Sequence, residues 1–390
     1  MKKKILIVSD NIYTTKDAVY YAENYFYMHE LFGYIKEQTE KIKVYGKIRG
    51  YQKVSNWQYV PTNNWFSFIH GPDFRGLRDW IKEFKTHYNI LKNEVKDSNV
   101  VVIKLFSLNS LLAFYFAKKY KKTIITELVG DPADAFEAKF FKNNYKFIGK
   151  VLKKVMYLCI KKVVTDSHLF WPVSKPLANK YGTRQERIVI ANESRVKESE
   201  FYLRPVLNKP LNKIKILFVG RLEEVKGIEV LVEAVNILQN QYNKEVELTI
   251  IGGGSLEQKL KEQSKLYGLN VQFLGIIPYG PDLFKYYRDS DIFVLPSYSE
   301  GTPLVIIESM ANSLPVIASN VGGIPNLLSN NENGFLFDPG NAVELVDAII
   351  KLSSDVNVYN KVFKNAYNFA LENSAENQRR KVVNAILEVI

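Results

Sequence analysis

The chain has 390 residues, of which 46% are hydrophobic and 24% charged, and a formal net charge of +12 at pH 7. These proportions exclude a disordered or fibrous chain and fit a soluble globular protein with two or more domains. A single cysteine, Cys159, excludes a disulfide framework and fits a reducing cytosol. The first apolar run, residues 5–8, is too short for a signal peptide, and no window approaches the ~20 apolar residues of a transmembrane helix.

Short apolar runs alternate with helix-length segments in both halves of the chain. In the first half we expect strands at residues 5–8, 100–105, 123–127, 162–165 and 188–191. In the second half we expect them at residues 215–219, 247–251, 271–274, 292–295 and 315–318. This alternation predicts an α/β protein with two doubly wound parallel sheets.

The boundary between the two domains is expected where the periodicity stops. Residues 198–213 follow neither a helical nor a strand pattern and contain two prolines. We therefore assign residues 1–200 to the first domain and residues 211–374 to the second, followed by a last helix at residues 375–390.

Two glutamates in the second domain lie eight positions apart across a junction between loop and helix. Glu300 follows the buried strand 292–295, at the carboxyl end where open α/β sheets bind ligands. Glu308 lies about two turns into the next helix. Two carboxylates so placed can accept hydrogen bonds from the hydroxyl groups of a ligand.

The start of that helix predicts a phosphate site. Thr302 is expected to cap the helix and Pro303 to occupy its first turn. The backbone N–H groups of Leu304 and Val305 are then free to bind an anion.

Two cations follow the strand 214–219. Gly220 and Arg221 end that strand, and Lys226 precedes a helix whose apolar residues resume at Ile228. The two side chains can therefore converge beside a diphosphate and neutralise its charge, each contact contributing roughly 4 kcal/mol at an effective dielectric of ~20 before desolvation costs.

The segment EGTPLVIIE, from Glu300 to Glu308, resembles the E-x7-E motif of a large family of retaining glycosyltransferases, called glycosyltransferase family 4 or glycosyl transferases group 1. Members of this family have two Rossmann-like domains, an arrangement known as the GT-B fold. The LPS that precedes it and the ANSLPVIAS and GGIPN segments that follow also match that family. The resemblance implies two domains facing across a cleft, with the nucleotide sugar on the second and the acceptor on the first. It also implies that the last helix returns to the first domain.

The resemblance assigns roles to individual residues. Glu300 would hold the donor sugar, Arg221 and Lys226 the diphosphate, and Glu308 the ribose. The remaining donor-binding residues implied in this way are Gly220, Gly253, Ile276, Gly301, Thr302, Pro303 and Leu304. Gly253 belongs to a glycine-rich turn that is also common as an ordinary tight turn.

The first domain departs from the family pattern. The loop at residues 9–15 has no glycine, and no histidine follows the strand 123–127. Asp131, just past that strand, is our candidate for accepting the acceptor's proton or for holding the donor's hydroxyls, and Glu127 is the second candidate. The alternative for Asp131 is a cap on the helix that begins near Pro132.

The pair Asp289 and Asp291 has the spacing of a metal-binding D-x-D motif from a different glycosyltransferase fold. Here it stands between a helix and a buried strand, where a structural role fits better. Because Arg221, Lys226 and a helix start already face the diphosphate, we predict neither a metal nor a cofactor.

Lysines and aromatic residues interleave along a predicted helix at residues 136–156. Such a helix can lie on an anionic membrane surface, or it can pack on its sheet with the lysines in water. No nucleic-acid motif accompanies the positive charge, so nucleic acid is not an expected partner.

The sequence thus predicts a cytoplasmic, metal-independent, retaining hexosyltransferase, at most peripheral on the inner face of the membrane. Its donor would be a UDP- or GDP-linked sugar, and its acceptor a glycan or lipid-linked glycan in bacterial cell-surface synthesis. Two alternatives remain open: an inactive scaffold subunit, and a sugar-nucleotide epimerase on the same fold.

Overall fold

The computed structural model describes residues 2–16, 19–22, 31–50, 58–60, 62–133, 146–184, 187–191 and 194–390. The chain divides into two compact units, the first formed by Met1–Glu193 with Arg379–Ile390 and the second by Ser194–Gln378. The segment expected to link the domains therefore lies within the second unit.

The first unit is built on an eight-stranded sheet. Its strands are β1 Lys3–Lys16, β2 Val19–Ala22, β3 Thr39–Gly50, β4 Gln58–Val60, β5 Phe66–Gly71, β6 Val100–Leu105, β7 Thr123–Leu128 and β8 Leu169–Pro172. Six of them pair in parallel in the order β5-β3-β1-β6-β7-β8. The other two add an antiparallel edge, because β2 pairs with the end of β1 and β4 pairs with β2.

Helices cover both faces of this sheet. They are α1 Leu77–Lys82, α2 Phe84–Asp97, α3 Leu108–Lys119, α4 Lys146–Thr165 and α5 Lys175–Tyr181. Alternate residues of β1 enter two separate apolar clusters, Ile5 and Ile7 in one and Leu6 and Val8 in the other. Since successive strand residues point to opposite faces, the sheet is buried on both sides.

Three expectations for the first unit are wrong. Residues 162–165 end helix α4, and the strand lies a few positions later at β8. Residues 188–191 form no strand and contribute only a bridge between Phe170 and Ile188. Residues 9–15 continue β1, which their β-branched and aromatic residues favour. A short apolar run such as VVT does not by itself distinguish a strand from a buried helix end.

The second unit is a six-stranded, all-parallel sheet in the order β11-β10-β9-β12-β13-β14. The strands are β9 Lys213–Val219, β10 Glu245–Ile251, β11 Val271–Phe273, β12 Ile292–Leu295, β13 Val316–Ser319 and β14 Phe335–Phe337. The helices are α6 Ile228–Asn240, α7 Glu257–Leu266, α8 Pro281–Asp289, α9 Leu304–Ala311, α10 Ala342–Ser354 and α11 Val356–Glu372. All five strands expected here are present with small shifts at their ends, and β14 is an addition.

The strand order reverses between β9 and β12, which are neighbours although β10 and β11 separate them in the sequence. The loops after these two strands therefore leave in different directions and open a crevice at the carboxyl edge. Both predicted motifs, the one at residues 220–226 and the one at residues 300–308, lie at this edge.

The last helix, α12 Ala375–Val389, crosses from the second unit to the first. Its residues Val382, Val383 and Ile386 pack in the same cluster as Ile5 and Ile7 of β1. Among the described residues, no helix is both long and apolar enough to span a membrane.

Candidate functional site

Glu300 and Lys226 lie on the loops after β12 and β9 and form an ion pair. The Lys226 Nζ donates a hydrogen bond to Glu300 Oε1 over 2.6 Å, and Ser297 Oγ donates to the same oxygen over 2.7 Å. The side chains are only 17% and 9% exposed, so little solvent screens the pair. Glu300 Oε2 makes no hydrogen bond within the part of the chain that the structure describes. The free oxygen can accept a hydrogen bond from a ligand.

Glycines let these loops approach one another closely. Gly322 has a φ of +54°, and a Cβ built on it would lie 1.9 Å from the carbonyl oxygen of Glu300. Gly323 donates its backbone N–H to that oxygen over 3.3 Å. On the other side, Tyr298 N donates to Val225 O over 2.8 Å, which ties the Glu300 loop to the Lys226 loop.

A second close approach joins the turns after β9 and β10. Gly252 donates to Gly275 O over 2.7 Å, and a Cβ built on it would lie 1.8 Å from Gly220 O. Ile276 is 79% exposed, and its Cγ1 would lie 3.4 Å from a Cβ on Gly253. The structure thus brings the predicted residues Gly220, Gly253 and Ile276 into one group and leaves an apolar side chain open to a ligand.

The start of helix α9 differs in detail from the prediction. Pro303, not Thr302, is the N-cap, and no side chain caps the helix. Pro303 has an extended ψ of 110°, so the helix begins at Leu304, one residue later than expected. The N–H groups of the first turn therefore lack a capping side chain, and exposed Gly301 precedes them.

Arg221 extends from the end of β9 and is exposed. Throughout the described ranges, no hydrogen bond or ion pair involves its side chain. It is therefore an uncompensated cation at the same sheet edge as the paired Lys226 and Glu300.

Glu308 lies on α9 and is fully buried. Arg195 donates from Nε over 2.9 Å and from Nη2 over 2.5 Å to Glu308 Oε1, and Tyr287 OH donates to Oε2 over 3.1 Å. Burial raises the pKa of the Glu308 carboxyl, and the Arg195 guanidinium opposes that rise. Both carboxylate oxygens of Glu308, the residue predicted to bind the ribose, therefore accept hydrogen bonds from other protein side chains.

Arg195 is itself held in place by an aromatic ring. Its guanidinium carbon lies 4.2 Å from the centre of the Tyr279 ring, and Tyr279 OH donates to Glu200 Oε2 over 2.7 Å. Burial also raises the pKa of the Tyr279 hydroxyl. Sequence reasoning did not single out Arg195, Tyr279 or Tyr287, because Arg195 and Glu308 are 113 positions apart and belong to no shared motif.

Residues 200–369 match the family model described as glycosyl transferases group 1. This segment belongs to that family. The match covers the β9 and β12 loops, and hence Arg221, Lys226, Glu300 and Glu308.

Two curated relatives are similar in sequence to this chain, one over most of its length and one over less than half. Protein CapJ of Staphylococcus aureus is 28% identical over 343 residues, which cover 84% of this chain and 82% of CapJ. The amylovoran biosynthesis glycosyltransferase AmsK of Erwinia amylovora is 39% identical over 159 residues, which cover 39% of this chain and 38% of AmsK.

Solved structures show that the whole chain has the GT-B fold. The lipopolysaccharide outer core galactosyltransferase WaaB superposes with a TM-score of 0.67 at 15% identity, covering 99% of this chain and 100% of WaaB. Anabaena HepE in complex with UDP superposes with a TM-score of 0.64 at 14% identity, covering 99% of this chain and 100% of HepE.

In the first unit of this GT-B protein, Asp131 has both carboxylate oxygens engaged. Oδ2 accepts from Lys180 Nζ over 2.6 Å, while Oδ1 accepts from Tyr181 OH over 2.9 Å and from Ala133 N over 3.0 Å. The bond to Ala133 is the turn contact that the capping alternative requires. Glu127 is fully buried, 3.2 Å from Lys104 Nζ. A role for Asp131 toward the acceptor stays a prediction.

The D-x-D residues lie away from the motif loops. Asp291 precedes β12, at the amino edge of the sheet, and its carboxylate accepts the backbone N–H of Lys215 over 2.8 Å. Burial raises the pKa of the Asp291 carboxyl. These contacts give Asp291 a structural role at the beginning of the strand.

Proposed function

We propose that the protein is a retaining glycosyltransferase that moves a sugar from a nucleotide diphosphate sugar to an acceptor. One observation carries the proposal: the loops after β9 and β12, at the carboxyl edge of the second sheet, carry Arg221 and a largely buried Lys226–Glu300 pair. Among the described residues, neither Glu300 Oε2 nor the Arg221 side chain has a hydrogen-bond partner. Cations that face a diphosphate stabilise the charge on the leaving group as the glycosidic bond breaks.

The proposed roles follow from these contacts. Arg221 and Lys226 would stabilise the departing diphosphate together with the N–H groups that open α9. Glu300 Oε2 would accept hydrogen bonds from the donor sugar's hydroxyls and stabilise positive charge near the anomeric carbon. Ile276, exposed beside Gly253, would line the base.

Retention without a covalent intermediate is the mechanism we propose. Double displacement needs a second carboxylate ~5 Å from the first. Glu308 is buried against Arg195 and Tyr287, so it is not free to serve as that nucleophile. Front-face attack, in which the leaving phosphate accepts the acceptor's proton, requires no such group.

The proposed acceptor is a glycan or a lipid-linked glycan in cell-surface polysaccharide synthesis, as the name of AmsK suggests for that relative. Helix α4 supports a membrane-bound acceptor. Val151, Val155 and Leu158, at helical spacing on one face, are 46%, 51% and 55% exposed. Exposed Lys150 and Lys154 adjoin them, which suits an anionic surface. Residues 136–145 of the predicted helix lie outside the described residues.

The donor proposal is tested by thermal unfolding of the wild type and Arg221→Ala with UDP, GDP and ADP. A ligand at ~100 times its Kd adds about 2.7 kcal/mol to the free energy of unfolding. We expect stabilisation by one nucleotide in the wild type and a weaker effect in the variant. No stabilisation by any nucleotide would favour the inactive scaffold.

Turnover measurements test the other parts of the proposal. A chelator such as EDTA should leave the rate of transfer unchanged, whereas a rate restored only by a divalent cation would contradict metal independence. Product formed from donor alone would indicate an epimerase.

Sedimentation with anionic liposomes at low salt tests whether helix α4 binds a membrane surface. Sedimentation that Val155→Asp reduces would support this binding.

A further inference from the structure

A cavity of about 680 Å³ opens at the amino edge of the first sheet, where β8 begins. Its walls come from the start of β8, from residues 187–189 and from helix α12. Asp131, by contrast, follows β7 at the carboxyl edge of the same sheet. The volume lies within the ~300–1,000 Å³ that is usual for small-molecule sites.

His168 lines this cavity and has one unused hydrogen-bond donor. Its backbone N–H donates to Ile124 O over 2.8 Å, and its Nδ1 accepts the backbone N–H of Ile124 over 3.1 Å. Because Nδ1 is an acceptor, the proton of the neutral ring is on Nε2. Nε2 has no hydrogen-bond partner among the described residues. Burial lowers the pKa of His168, and Arg187 and Lys118 lower it further, so the ring is neutral at pH 7.

Arg187 brings an uncompensated positive charge to the same cavity. The residue is half-buried, yet its guanidinium makes no hydrogen bond or ion pair within the described part of the chain. Lys118, the other cation that lowers the pKa of His168, is already paired with Asp166 over 3.3 Å. A cation in a concave site attracts anions. The planar guanidinium can bind two oxygens of a phosphate group at once.

Helix α12 supplies polar groups of the opposite kind. Lys381, Asn384 and Glu388 lie about one turn apart on one face of the helix, and all three are exposed. No described residue forms a hydrogen bond or an ion pair with the side chain of Asn384 or Glu388. The Glu388 carboxylate can therefore accept hydrogen bonds from hydroxyl groups. It also repels a ligand that is anionic along its whole length, such as a polyphosphate or a nucleic acid.

The rest of the lining is apolar. It includes the buried Leu169 and three partly buried residues of the same cluster, Val189, Ala385 and Val389. Apolar surface of this kind can pack against the C–H groups of a sugar ring. The cavity thus offers partners for an anion, for hydroxyl groups and for a ring face, three features that a sugar phosphate combines.

We propose that this cavity binds a sugar phosphate. The phosphate lies on Arg187 and His168 Nε2. The sugar hydroxyls lie on Asn384 and Glu388, so the ligand joins helix α12 to the amino edge of the sheet. The site uses none of the residues on the β9 and β12 loops, and the proposal does not depend on the proposed function.

The test measures binding to the full-length protein by titration calorimetry. The probes are the 1-phosphates and 6-phosphates of glucose, galactose and mannose, inorganic phosphate, and the free sugars. We expect at least one sugar phosphate to bind roughly tenfold more tightly than inorganic phosphate, because phosphate alone makes none of the hydroxyl contacts. The free sugars should not bind. If no sugar phosphate binds, or if inorganic phosphate binds as tightly, the proposal is wrong.

Arg187→Met should weaken binding of the sugar phosphate roughly ten- to a hundredfold, since hydrogen bonds from a charged donor are lost. Arg184→Met is the matched control. Arg184 is exposed, lies three positions away, and does not line the cavity, and its side chain has no hydrogen bond or ion pair to any described residue. Equal weakening in the two variants would indicate a long-range effect of charge and would overturn the site.

Glu388→Gln tests the contact with the sugar. It should reduce the preference for the sugar phosphate over inorganic phosphate several-fold, because bonds to a charged acceptor are about twice as strong. An unchanged preference would contradict binding of the hydroxyls by Glu388.

Nuclear magnetic resonance locates the ligand. His168 is one of four histidines, so its ring signals can be assigned by their loss in His168→Gln. Saturation with the sugar phosphate should shift them, and unshifted signals would overturn the site.

Arg221→Ala separates this inference from the proposed function. The variant should bind the sugar phosphate as the wild type does, and a loss of binding would place the ligand in the donor site instead. A wild type that binds the sugar phosphate but no nucleotide would support this cavity and contradict the proposed function.

Discussion

Glu300 in the second unit and Asp131 in the first both follow a parallel strand, but their carboxylates are bound differently. Within the described residues, both hydrogen bonds to the Glu300 side chain go to Oε1, one of them from a lysine on another loop, and Oε2 has no partner. Asp131 uses both oxygens, with partners on its own turn and on helix α5. A carboxylate with one free oxygen can bind a ligand, whereas one with both oxygens engaged mainly holds its turn together.

The largest effect is expected from Glu300→Gln. The amide retains the size of the side chain but removes the charge that holds Lys226 and stabilises the anomeric carbon. We expect kcat to fall ~10²- to 10³-fold with a smaller change in donor affinity. Steady-state kinetics on the variant measure both, with Glu344→Gln, an exposed helix-start glutamate, as the control. Equal losses in kcat and in donor binding would contradict this role.

Gly322→Ala tests whether the glycine contact holds the Glu300 loop in place. The added Cβ would lie 1.9 Å from Glu300 O at a φ of +54°. Gly268→Ala is the matched control, since Gly268 has a φ of +64° and nothing lies within 4 Å of its added Cβ. Backbone strain alone should cost ~1 kcal/mol in the control, while Gly322→Ala should cost ~3 kcal/mol and reduce activity. Chemical denaturation measures both, and equal costs would show that the contact is unimportant.

Asp131→Asn tests whether the Asp131 carboxylate stabilises its turn rather than takes part in the reaction. We expect the free energy of unfolding to fall by ~1 to 3 kcal/mol, because Lys180 loses its counter-charge and the turn loses an acceptor. Turnover should change less than tenfold. A loss of ~10²-fold in kcat at unchanged stability would instead identify Asp131 as the acceptor's proton acceptor.

The smallest effect is a pH dependence of stability from the first unit. His87 is fully buried and its Nδ1 lies 2.5 Å from Tyr45 OH, while its Nε2 has no hydrogen-bond partner among the residues that the structure describes. Burial lowers the pKa of His87 below 6.5, opposed by Glu83 and assisted by Lys47. The unfolded chain therefore binds the proton more tightly, and the free energy of unfolding should decrease as the pH falls below about 6.5. His87→Asn should flatten this decrease in thermal unfolding curves; an unchanged slope would exclude His87 as its source.

The second unit was predictable because its signals are local. Each of its five expected strands is a short apolar run between turns, and the E-x7-E and Arg-x4-Lys segments each lie within one loop and the helix that follows. Parallel sheets place consecutive loops at the same edge, so the meeting of Lys226 with Glu300 follows from the fold class.

The first unit was less predictable because its signals are not local. Mixed polar and apolar residues make up the strands β2, β3, β4 and β5, and their pairing depends on neighbouring strands. The run of residues 162–165 fits a buried helix end as well as a strand. Local propensity does not fix which partner covers such a segment.

The sequence by itself determined the fold class, the family of the second unit and the loops that carry Arg221, Lys226 and Glu300. Only the tertiary structure decided which of the candidate carboxylates, Glu300, Glu308 and Asp131, keeps an oxygen that a ligand can reach. Glu308 has the right spacing for a ligand, yet Arg195, 113 positions away, covers it. Spacing along the chain fixes where a side chain is attached, but its access to a ligand depends on remote segments that fold against it.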